Sequence, residues 1–192
     1  MIPKAEFRPL LHAATGLVAL GLGVMPRWMN LTGAGLGLFA GFVVIPLTGL
    51  EARLRRPEEP FLCGLRTYPI AVFLLVYLLP STAAATAWAV FAAGDAAANI
   101  VGRHVPAPKL FGHRKATWSG TPAFVAVGAL AGLGAGAFVA ATGGSPALPW
   151  TAALAAALAA ALVDLVRMPP DDNVPNAVAA GLVVAWAAGL FG

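Results

Sequence analysis

The chain has 192 residues, of which 59% are hydrophobic and 10% charged, with a mean hydropathy of +0.82. Soluble domains carry about 25% charged residues, so a water-facing surface cannot be built from this sequence, and the length suits one domain, 1–192, rather than two. The net charge of +4 does not mark a nucleic-acid binder, because the twelve Lys and Arg sit in short links between apolar runs.

From the amino terminus, Glu6, Arg8 and His12 accompany the start of an apolar run over 9–25, and Arg8 and His12 are four apart, on one helix face. Met25-Pro26-Arg27-Trp28 is a poor signal-peptidase site, so this run reads as a permanent first helix. A second run follows over 31–50, then a polar link 51–66 that holds Glu51, Glu58 and Glu59. Cys63 is the only cysteine, which excludes an internal disulfide and a cysteine-based zinc site. Runs over 67–80 and 82–101 are joined at Pro80-Ser81, which predicts a tight antiparallel hairpin. Further runs cover 119–142, 150–166 and 174–191. Crossing ~30 Å of hydrocarbon takes about 20 residues, fewer where the bilayer thins, so the expected fold is an all-α, polytopic membrane protein with about seven transmembrane helices. Gly33, Gly37 and Gly41, and again Gly128, Gly132 and Gly136, have the small-residue spacing that lets membrane helices approach closely. Gly33-Ala34-Gly35 is not a dinucleotide loop, since no strand precedes it.

Arg27 is the one Lys or Arg in the odd-numbered connections; the other eleven lie before the first helix or in the even links. The positive-inside rule then places the amino terminus and even links in the cytoplasm and the carboxyl terminus outside. All eight carboxylates fall at or near that same face, and acidic residues within a membrane segment are costly and usually mark a site.

Asp95 is the most informative of them. It lies eight residues before Arg103, about 12 Å inside the basic edge on a continuous helix. Asn99 follows at i+4, and Gly94 and Gly102 flank the pair where a ligand or a neighbouring backbone can approach. The next link carries Arg103, His104, Lys109, His113, Arg114 and Lys115 without one acid, either as a topology signal or to hold polyphosphate. Thr117-Trp118-Ser119-Gly120-Thr121 then opens the fifth helix, where hydroxyls and amides suit an anion. Asp164 and Arg167 are spaced as a local ion pair. Asp171-Asp172-Asn173 opens the seventh helix, either as an N-cap or as carboxylates that hold Mg²⁺.

These segments resemble the CTP-dependent lipid-alcohol kinases, a family that includes dolichol, phytol and eukaryotic-type diacylglycerol kinases. Gly94-Asp95-Ala96-Ala97-Ala98-Asn99-Ile100-Val101-Gly102-Arg103 is similar to the family's GDA-x-A-x-x-x-G-R segment. Ala116-Thr117-Trp118-Ser119-Gly120-Thr121 looks like K-S-x-x-G-[ST], with Ala116 at the lysine position and Arg114 and Lys115 just upstream. Glu6, Arg8 and His12 resemble an amino-terminal E-x-[RK]-R-K-x-x-H element, and Asp172-Asn173 with Pro175 a late D-N-x-x-x-P element.

The resemblance implies phosphoryl transfer from CTP, with Mg²⁺, to the hydroxyl of a long-chain lipid alcohol at the cytoplasmic interface. It assigns Asp95 to Mg²⁺ binding or to accepting the alcohol proton, with Asn99 orienting phosphate or metal. Lys109, Arg114 and Lys115 would neutralise the triphosphate, with Arg103, Gly94, Gly102, Ser119 and Gly120 in the same phosphate site. Thr117 would contact phosphate, while Asp172 and Asn173 would complete the metal or nucleotide site. No Walker A or protein-kinase motif set is present. A CTP-dependent cytidylyltransferase making a CDP-lipid is the competing enzyme reading. A small transporter or a purely structural membrane protein is the non-enzyme alternative; transport is disfavoured, because the predicted mid-membrane stretches hold no ionisable group.

Overall fold

The computed structural model describes residues 4–51, 61, 63–112, 116–143, 145–166, 168 and 171–191, with side chains from residue 9 onward. Each apolar run forms a helix. The first helical segment is α1 (Lys4–Gly16), carried on through a 3-10 turn (Leu17–Leu20) and a last turn Gly21–Val24. The second is α2 (Arg27–Phe39), which widens into a π-turn (Ala40–Val44) before Ile45–Leu47. Pro46 explains the widening: it has no amide hydrogen to return to the carbonyl one turn earlier, so the ladder shifts register. Then follow α3 (Gly64–Leu78), α4 (Ser81–His104), α5 (Gly120–Gly143), α6 (Trp150–Asp164) and α7 (Asn173–Ala187). Outside the helices, the described residues contain one isolated antiparallel bridge, between Lys109 and Thr117.

Small side chains fill much of the interior. Ala83, Ala84, Ala85, Ala87 and Ala92 of α4, Ala156, Ala157 and Ala160 of α6, and Ala177 and Ala180 of α7 are fully buried. Many large apolar residues face outward, with Leu130 70% and Trp186 74% exposed, while Phe91, Phe124 and Trp88 are buried. This is the packing expected where lipid removes the hydrophobic drive between helices and close backbone approach supplies the attraction. The α4–α5 contact is the tightest case. A Cβ on Gly128 would lie 2.9 Å from the Val90 carbonyl oxygen, one on Gly132 would strike the Val90 side chain, and one on Gly136 the Thr86 hydroxyl.

The other glycine series behaves differently. Gly41 faces the Leu65 carbonyl and Pro69 of α3, Gly37 only grazes Pro69, and nothing lies within 4 Å of Gly33.

The expected count of seven spanning helices needs correction. Among the described residues, three helices are long and apolar enough to cross a membrane: Arg27–Leu47, Ser81–His104 and Gly120–Gly143, of 21, 24 and 24 residues. The apolar helices Pro9–Val24, Gly64–Leu78, Trp150–Asp164 and Asn173–Ala187 are shorter, at 10–17 residues. At 1.5 Å per residue, a helix of 15 residues covers about 22 Å of a ~30 Å core. Part of the shortfall lies in the links, where Leu79-Pro80 and Pro149 take extended backbone and end or delay the helices beside them.

The links alternate between the two ends of the bundle. Gly143 closing α5 lies against Gly23 near the end of the first helical segment, and Arg27 donates to the carbonyls of Tyr77 (2.8 Å) and Leu79 (3.3 Å). The lone cation of the odd links is thus accounted for by the exposed carbonyls at the carboxyl end of α3, where a positive charge also suits the helix dipole. At the opposite end His12 meets Asp95, and Thr67 meets Asn173.

Candidate functional site

The polar residues of that second end form two groups joined by consecutive residues of α3. The first is built on α4. Asn99 Nδ2 donates to both the carbonyl oxygen and carboxylate Oδ1 of Asp95, each at 2.9 Å. This is the i,i+4 contact that the helix spacing predicts. From α1, Nδ1 of His12 stands 3.4 Å from the other carboxylate oxygen, Oδ2. The pair is largely but not wholly enclosed, with side-chain exposures of 11% for His12 and 21% for Asp95.

Tyr68 of α3 backs this pair. Its ring lies 4.4 Å from the His12 ring and 5.2 Å from that of Phe91. Trp88 Nε1 donates to the Tyr68 hydroxyl at 2.9 Å, and Thr15 Oγ1 is 2.7 Å from the same oxygen. The Thr15 hydroxyl hydrogen goes to the His12 carbonyl at 2.8 Å. Having one hydrogen each, Tyr68 must therefore donate to Thr15. The order Trp88 → Tyr68 → Thr15 → His12 is fixed, and it ties α4, α3 and α1 together beside Asp95.

Thr67, the neighbour of Tyr68, belongs to the second group. Its hydroxyl donates to Asp171 Oδ2 at 2.5 Å and accepts from Asn173 Nδ2 at 2.9 Å. Asn173 also donates its amide N–H to Asp171 Oδ1 (3.1 Å) and its Nδ2 to Asp171 Oδ2 (3.2 Å). Asp171 is thus the side chain that satisfies the start of α7. Asp172 occupies the N-cap position, half-buried, without a side-chain bond to the first turn. One turn further on, Asn176 Nδ2 reaches Asp164 Oδ1 at 3.3 Å; the Arg167 partner expected for Asp164 lies outside the described residues.

The basic link starts at the end of α4. Arg103 and Lys109 are exposed there. Leu110 N–H donates to the Ala116 carbonyl and Trp118 N–H to the Pro108 carbonyl, folding the link back on itself. Thr117 is buried and caps α5, its Oγ1 accepting the Gly120 N–H at 2.9 Å, while Ser119 Oγ donates to the Val105 carbonyl at 3.0 Å. The polar atoms of this turn therefore hold the turn itself. Gly102 and Gly120 sit where α4 and α5 nearly touch, and Gly94 faces Phe124, whose ring would lie 2.7 Å from an added Cβ. Arg114 and Lys115 lie outside the described residues, as do the side chains of Glu6 and Arg8, whose backbones belong to α1.

Beside the Glu6, Arg8 and His12 segment, the fold contributes residues that the sequence did not single out: Thr15, Thr67, Tyr68 and Trp88. Another is Arg66, fully buried, which Glu51 grips through two contacts of 2.8 and 3.3 Å while the Phe61 ring lies 3.8 Å below its guanidinium. A Thr-Tyr pair opening an apolar helix was the available signal. Among the described residues no three His, Cys, Asp or Glu side chains group as a metal site. The donor set at Asp95 still suits Mg²⁺, which takes one or two carboxylates and completes its shell with phosphate and water. Each carboxylate oxygen has more than one acceptor direction, so Asn99 and His12 do not exhaust Asp95.

An all-helical apolar bundle with a hydrogen-bonded set of carboxylates and amides at one end, beside a buried histidine, is the class that fold and site define. Comparison with protein-family models, with curated proteins and with solved structures finds no match to the chain.

Proposed function

We propose that the chain is a multi-pass membrane lipid kinase that transfers a phosphoryl group from CTP to the hydroxyl of a polyprenol- or phytol-like alcohol at the cytoplasmic interface. One observation carries this reading: His12 and Asp95, from two of the segments that resemble the lipid-alcohol kinases, lie 3.4 Å apart at the end of the bundle where the basic link emerges. The apolar exterior supports a lipid setting. The eleven-to-one distribution of cations supports a cytoplasmic placement of that end.

In this reading the alcohol's tail stays in lipid and its hydroxyl rests beside Asp95. The alcohol oxygen forms a bond to the γ-phosphorus as its proton is given up to water at the interface, the bond from that phosphorus to the bridging oxygen breaks, and CDP leaves. Such transfer depends on positioning and charge neutralisation. Arg103, Lys109, Arg114 and Lys115 supply positive charge to the triphosphate. Asn99 keeps Asp95 in place, and Asn173 with Asp171 borders the nucleotide side. Asp95 and Asp172 are the residues that would hold Mg²⁺, which offsets charge on the phosphate oxygens when bound.

The test is a nucleotide-by-lipid matrix on the purified protein in liposomes. CDP together with a lipid monophosphate is the expected result. Pyrophosphate and a CDP-lipid would replace the kinase with a cytidylyltransferase. Solute flux without nucleotide turnover would replace both with a transporter.

A further inference from the structure

We infer that the amino-terminal turn of α3 is a phosphate site, with Arg66 as its main ligand and Glu51 as the anion that fills it in this structure; the inference is independent of the kinase reading. α3 starts at Gly64, and Cys63 in the N-cap position makes no side-chain bond to the first turn. A helix start without such a cap offers unsatisfied amide hydrogens and the positive end of the dipole, and both draw an anion. Arg66 belongs to that turn and is fully buried. Its Nη1 donates to the carbonyl of Phe61, just ahead of the helix, at 2.7 Å, and its guanidinium lies 3.8 Å from the Phe61 ring. The cation is therefore held beside the helix start rather than turned away from it.

Glu51 meets this charge only in part. Oε2 accepts from Nη2 at 2.8 Å and Oε1 from Nη1 at 3.3 Å, while the buried Nε has no hydrogen-bond partner among the described residues. Buried donors are rarely left so, because the lost hydration is costly. A carboxylate has no third oxygen to give. A phosphate group has one, carries more charge, and matches the planar fork of a guanidinium. The two partners also differ in their way out: side-chain exposure is 1% for Arg66 and 21% for Glu51. When the pair opens, the carboxylate moves into water and the arginine stays to receive the phosphate. That group comes from a lipid headgroup or from solution, and the recognition is the same for both.

Thermal melting in nanodiscs tests this without reference to turnover. Glu51→Gln keeps the bulk of the side chain and removes its charge, so in phosphatidylcholine alone it should melt below wild type. Millimolar inorganic phosphate, or phosphatidic acid in the disc, should then raise its melting temperature by about 3 °C or more. The rise should be smaller in wild type, where Glu51 competes. It should be absent from Glu51→Gln/Arg66→Met, in which neutral side chains replace the buried pair, an exchange that folded proteins often tolerate.

Rescue by inorganic phosphate in phosphatidylcholine discs would assign a phosphate from solution. Rescue by phosphatidic acid alone would assign a lipid headgroup. No rise with either probe overturns the site, as does an equal rise with chloride at matched ionic strength. A rise as large in wild type or in the double variant also overturns it. Where Glu51→Gln does not fold, Glu51→Asp, whose carboxylate falls one methylene short of Arg66, takes its place in the same comparison, and the same results decide.

Discussion

Asp95 has one carboxylate oxygen on Asn99 and the other facing His12, so Asp95→Asn keeps the shape of the site and deletes its charge. Expression and melting should stay near wild type while CDP formation falls about 100-fold or more; undiminished turnover would take Asp95 out of the mechanism. Glu51 holds the buried Arg66 at 2.8 Å. Glu51→Ala leaves that guanidinium enclosed without its countercharge and should cost about 3 kcal/mol, read as a lower midpoint in denaturant. The residue scale was only partly legible beforehand. Asp95 and Asn99 are four apart on one helix, so their contact follows from spacing alone. His12 meets Asp95 only after four helices have packed. Thr67 and Tyr68 gave little sign, because hydroxyl-bearing residues at the edge of an apolar run are common and acquire a role only from the partners that the fold supplies.

Helix pairing rests on which glycines find a neighbour. Gly128 faces the Val90 carbonyl at 2.9 Å, a backbone atom that cannot swing aside, whereas Gly134 on the same helix has nothing within 4 Å. Gly128→Ala should destabilise the protein by about 1–3 kcal/mol, and Gly134→Ala should change it by no more than about 0.5 kcal/mol. Thermal melting in detergent distinguishes them; equal effects would mean that the α4–α5 seam is looser than described. The same four-residue spacing occurs in α2, where it yields one close contact, at Gly41, and none at Gly33. Spacing shows that a helix can offer a small-residue face. Whether another helix takes up that face depends on links and lengths that spacing does not encode. The turn opening α5 shows a related limit: Thr117 and Ser119 look available for an anion in the sequence, and the fold engages both in closing the turn.

For the whole molecule, the alternation of links between two ends makes a topological prediction. With Cys63, which is buried, replaced by Ser, Lys109→Cys should react with a membrane-impermeant maleimide from the cytoplasmic side and Trp150→Cys from the other. Reaction of both from one side would undo the proposed orientation. The all-helical architecture was legible from apolar runs and prolines. Helix lengths were not: the runs include residues that serve in extended links, so four of the described helices fall short of the other three.

Alanine and glycine fill the closest helix contacts while Leu130, Leu162 and Trp186 lie on the outside, which changes the usual ranking of what a protein can lose. In a water-soluble domain the bulkiest apolar residues are the least replaceable. In this chain Leu130, Leu162 or Trp186 should exchange freely with other oily residues, while one methyl group on an inward glycine disrupts the assembly. A saturation scan would find its intolerant positions among the smallest residues.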